Sequence, residues 1–165
     1  MARLRSCLVL ALAFTVAVTV PRAFGGVIAT PTDLNPGDSY YVVFVTSDFY
    51  TANLGGIAGA DATVQGLADA AGIGASMGVT WRALLSDSTI DARSRFDPNA
   101  PIYRMDGSRI ANDGSDFWDG SLISGLPTGD GVRFDEFGTE PGGSSRVWTG
   151  TTTAGIKKTT ALMLN

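Results

Sequence analysis

The chain contains no histidine, and its one cysteine is Cys7. Without imidazole there is no Ser-His-Asp triad and no histidine general base, and the commonest zinc ligand is missing. Without a second cysteine there is no intrachain disulfide. Downstream of Cys7 there is neither a thiol nucleophile nor a thiolate metal site. Long apolar runs are lacking too. The longest, Cys7 to Val20, has 14 residues, against roughly 17–25 for a membrane-spanning helix. Basic residues are few, 12 against 16 acidic ones.

What stands at the N-terminus has the three parts of a secretory signal peptide. Arg3 and Arg5 precede the apolar run, and Ala23-Phe24-Gly25 follows it with small residues where a signal peptidase reads. The expectation is export, with residues 1–25 removed and residues 26–165 forming one domain that is secreted, periplasmic or at the cell surface. The removed segment takes three basic residues (Arg3, Arg5, Arg22) and no acidic one, which leaves 9 against 16 and a net charge of −7. That sign disfavours nucleic acid, whose binding rests on neutralising phosphates, and it disfavours an anionic membrane surface. No stable membrane span is expected after cleavage. A chain of this size buries roughly 68–70% of its unfolded surface, enough for a core with no disulfide.

Residues 26–39 are rich in Pro, Gly and Asp and read as an entry segment. Tyr40 to Thr46 is β-branched and aromatic throughout, which predicts a strand buried on both faces. After the turn Asn53-Leu54-Gly55-Gly56, residues Ile57, Ala60, Val64, Leu67, Ala68 and Ala71 repeat at helical spacing. This predicts a helix over 57–71 with Asp61 and Asp69 facing away and Gly72 and Gly74 as stop residues. Thr80 to Ser86 reads as a second strand, and Ser88 to Arg95 as a short helix capped by Ser88 or Thr89. Pro101 to Met105, the turn Asp106-Gly107 and Ser108 to Ala111 have hairpin chemistry. Residues 112–143 read as loop, and Arg146 to Thr149 as one more short strand. The sum is an α+β domain with a mixed sheet, one main helix and long loops.

Carboxylates are the remaining candidates for chemistry. Asp106, Asp113, Asp116 and Asp119 lie in a Gly- and Ser-rich stretch, and oxygen-rich loops of this kind suit a hard cation such as calcium. The spacing is not that of an EF-hand. The competing reading is that these aspartates form turns by bonding their own backbone. Asp135, Glu136 and Glu140 make a second acidic loop, and a glycosidase needs only two carboxyls about 5–10 Å apart. Nothing in the sequence places them so. Of the tryptophans, Trp81 and Trp148 sit in strand patterns and are expected in the core. Trp118, beside Asp116 and Asp119, is the one expected to reach the surface, where it could stack on a ligand. Arg93, Arg95, Arg104 and Arg109 are expected to pair with neighbouring aspartates.

The order of these pieces resembles the endostatin-like domain, the C-terminal domain of certain collagens with relatives among exported bacterial proteins. The resemblance rests on four motifs: Gly56-Ile57-Ala58-Gly59-Ala60-Asp61, Trp81-Arg82-Ala83-Leu84-Leu85-Ser86-Asp87, Tyr103-Arg104-Met105-Asp106-Gly107 and Val147-Trp148-Thr149-Gly150. It spans roughly residues 40–150. It implies a compact fold related to the C-type lectins and a non-catalytic role in binding an extracellular glycan or a matrix or surface protein. Where the family carries a cysteine soon after the helix opening, this chain has Val64. The family's closing strand and its histidine zinc site have no counterpart, so a shortened C-terminus and marginal stability are expected. The family's heparin-binding arginine cluster transfers poorly to a domain of net charge −7. Together these readings favour an exported, non-catalytic binding or structural module over a calcium-dependent carbohydrate-binding module, and both over a carboxylate-based hydrolase.

Overall fold

The structure, a computed structural model, describes residues 28–51, 53–141 and 149–158. The expected signal peptide, and Arg146 to Trp148 of the expected last strand, lie outside the described residues. The elements in chain order are β1 (Tyr41–Val43), α1 (Gly56–Ala70), a single 3-10 turn (Ala75–Met77), α2 (Ala92–Arg95), β2 (Ile102–Arg104), β3 (Arg109–Ala111) and α3 (Gly114–Phe117). The strands form a mixed sheet in the order β1-β2-β3. β1 runs parallel to β2 with Tyr41 opposite Ile102, and β3 returns antiparallel to β2 through the Asp106-Gly107 turn.

Strand alternation divides the core into two clusters. Tyr40, Val42 and Phe44 join Tyr103 and Met105 in a cluster completed by α1, Ile73 and Trp81. Val43 and Val45 join Ile102 in a second cluster with Ile110, Phe96 and Trp118. Successive strand side chains point to opposite faces. A continuous apolar run is therefore what a strand covered on both faces requires, and Val42 to Val45 are all buried.

Helix α1 follows its apolar spacing. Ala60, Val64 and Ala68 are fully buried. The helix ends as glycine predicts. Gly72, at φ 77°, lets its own N–H reach Asp69 O and the Ile73 N–H reach Ala68 O at 2.9 Å. This pair of bonds is a Schellman cap, and Ile73 then turns into the core.

Four expectations need correction. The segment from Thr80 to Ser86 is extended and carries a bridge residue, Ala83, but among the described residues it is not a strand. Two of its donors are taken by helix side chains: Trp81 N–H by Gln65 Oε1 at 2.7 Å and Ala83 N–H by Asp61 Oδ1 at 2.8 Å. Asp61 therefore faces this segment rather than solvent, whereas Asp69 is exposed as expected. The second helix is shorter than the sequence suggests. Asp87 draws the N–H groups of Thr89 and Ile90 into a turn, so α2 begins at Ala92, whose N–H is taken by the Ser86 hydroxyl at 2.8 Å. Finally, the expected loop 112–143 contains α3, capped by the Asp113 side chain accepting from Asp116 N–H at 2.9 Å.

Residues 149–158 form a small antiparallel turn in which Thr151 bridges Lys157. It docks on the domain through Ser86 N–H to Thr149 O, Arg93 N–H to Gly155 O and Lys157 N–H to the Asp91 carboxylate. Gly155 approaches so closely that a Cβ there would lie 2.6 Å from Arg93 Cβ and 2.8 Å from the Trp118 ring.

Candidate functional site

The aspartates of the Gly- and Ser-rich stretch sit at the end of the β2–β3 hairpin and around α3, and each is occupied locally. Asp106 accepts from Ser108 N–H and hydroxyl, from the Thr128 hydroxyl and from Arg104 at 2.9 Å. Asp113 caps α3. Asp116 accepts from the N–H of Asn112 at 2.7 Å and from its amide at 2.8 Å, and Asp119 accepts from Ser121 N–H and hydroxyl. These are the turn and cap roles that short acidic side chains adopt beside Gly and Ser. Among the described residues, no group of three or more carboxylates, histidines or cysteines is placed to hold a metal ion.

Trp118 is buried, with only 6% of its surface exposed, and it differs here from its expected surface position. Its ring packs edge-on against Phe117, and its indole N–H donates to Phe96 O at 2.7 Å. The α3 turn swings the ring inward, and a buried indole needs that acceptor. Trp81 is in the core as expected, with its N–H on Ile73 O at 2.7 Å. Trp148 lies outside the described residues.

The second acidic loop is equally engaged. Asp135 accepts from Phe137 and Thr139 N–H groups, and Glu140 pairs with Arg133. Glu136 is fully buried and accepts from both the N–H and the hydroxyl of Ser47. With Val45 N–H donating to Phe134 O at 2.8 Å, these bonds join the segment after β1 to residues 134–136. Two of the three carboxylates are thus withdrawn from solvent rather than turned to a cleft. The Ser47–Glu136 contact spans 89 positions, and no local motif announces it.

Each of the four arginines pairs with its own aspartate: Arg93 with Asp97, Arg95 with Asp61, Arg104 with Asp106 and Arg109 with Asp33. Arg104 is the exceptional one. Its side chain is fully buried, and besides Asp106 it donates to Thr128 Oγ1 at 2.6 Å and to the carbonyls of Gly129 and Gly131. A buried guanidinium must be satisfied at nearly all its donors, so it pins the glycine-rich stretch 128–131 to the sheet. Nothing in the sequence separates Arg104 from the other three.

Burial pushes Asp106 up, but the Ser108 and Thr128 bonds and the Arg104 charge outweigh it and hold its carboxyl below the ordinary 3.8. Asp33 is balanced in the same way. Burial raises it, and the Tyr103 hydroxyl, backbone N–H and Arg109 guanidinium together bring it below 3.8. Tyr103 is pushed up from 10.0, by burial first and then by its bond to Asp33. The trio Asp33, Tyr103 and Arg109 ties the entry segment to β2 and β3, with Tyr103 Oη donating to Asp33 at 2.9 Å.

Among the described residues no helix is long and apolar enough to cross a membrane. The fold is a small α+β arrangement with a three-stranded mixed sheet, one main helix and much loop. No protein-family model, curated protein sequence or solved structure matches the chain.

Proposed function

We propose that this chain is exported and acts as a non-catalytic binding or structural module, secreted, periplasmic or at the cell surface, with the endostatin-like form of an α+β fold. The observation that carries the reading is the N-terminal arrangement of Arg3 and Arg5, the apolar run to Val20 and the small residues at Ala23 and Gly25. The order of the four endostatin-like motifs supports the finer fold. The absence of histidine, and the engagement in hydrogen bonds or ion pairs of every carboxylate weighed as acid, base or cation ligand, support binding over catalysis. The partner class is an extracellular glycan or a matrix or surface protein.

The test is expression of the full chain with a C-terminal tag in a bacterial host, followed by fractionation and intact mass measurement. Recovery outside the cytoplasm with a mass lacking about the first 25 residues is the expected result. Unprocessed chain confined to the cytoplasm overturns the export reading. Purified processed chain, screened on a glycan array and a panel of matrix proteins, is expected to give saturable binding. Turnover of a chromogenic glycoside would overturn the non-catalytic assignment.

A further inference from the structure

No further inference is drawn: the strongest candidate, the surface patch carrying the exposed rings of Phe49 and Phe137 on the two segments joined by the Ser47–Glu136 hydrogen bonds, is an apolar face, and nothing in the structure shows what covers it.

Discussion

Asp61 and Arg95, 34 positions apart, hold Ala83 between them. The Ala83 N–H donates to Asp61 Oδ1 at 2.8 Å, the Ala83 carbonyl accepts from Arg95 Nη1 at 2.8 Å, and Arg95 Nη2 donates to both Asp61 oxygens at 2.8 and 2.6 Å. This closed ring grips the middle of the Thr80 to Ser86 segment, which is extended but is not a strand among the described residues. It fastens the extended segment to α1 on one side and to α2 on the other.

Substituting Asp61→Ala leaves a backbone donor and a partly buried guanidinium without their acceptor. The expected loss is about 1–3 kcal/mol of unfolding free energy, read from urea denaturation. Arg95→Met should cost less, and the double variant should be less destabilised than the sum of the two, as coupled partners require. Strict additivity would mean that the ring is not a unit.

Trp118 is predicted to act through the core. Trp118→Ala should destabilise by roughly 3–5 kcal/mol, the range for removing a large buried aromatic. Trp118→Phe should cost less, retaining packing but losing the bond to Phe96 O. If Trp118→Ala left stability unchanged while abolishing glycan binding, the ring would be a stacking surface after all.

At Gly155 the backbone, at φ 77°, meets the Trp118 ring and the Arg93 side chain. Gly155→Ala introduces both a strained conformation and a collision with atoms that cannot easily yield. A loss of about 2 kcal/mol or more is expected. An equal effect from Gly66→Ala, which meets nothing within 4 Å, would show that close approach is not the cause.

Millimolar calcium should leave the unfolding midpoint of the chain unchanged within about 1 °C, since a ligand raises stability only by preferring the folded state. The four aspartates offered by the sequence are already bonded to their own neighbours. A midpoint that climbs with calcium concentration would require those bonds to be exchanged for the metal, and would restore the calcium-dependent module.

Acid should weaken the fold. The folded-state carboxyls of Asp33 and Asp106 lie below 3.8, so each contributes stability that is complete above the unfolded value and disappears as pH falls through the depressed folded one. Unfolding free energy is expected to be flat from neutral pH to about 5 and then to drop below about 4. Asp106→Asn should lower the plateau and make the acid limb shallower. An acid limb as steep as that of the parent would assign the effect elsewhere.

Part of this architecture is legible residue by residue. The run Tyr40 to Val45 announces a strand covered on both faces, the spacing from Ile57 to Ala71 announces α1, and Asp106-Gly107 announces the hairpin. Each is a local signal in which side-chain period or turn chemistry directly sets backbone geometry. The turn roles of Asp113, Asp116 and Asp119 are local too, because each accepts from donors within four positions of it.

Tertiary structure decided the rest. Composition alone removed histidine chemistry, and the N-terminal pattern alone suggested export, with Cys7 inside the segment expected to be cleaved. No pattern along the chain could say that Asp61 turns toward Ala83, that Arg104 and not Arg93 is the buried arginine, or that Glu136 meets Ser47. Those outcomes depend on which distant backbone groups are left without partners once the sheet and α1 have formed. A polar side chain is drawn inward only where such a group would otherwise be buried unsatisfied.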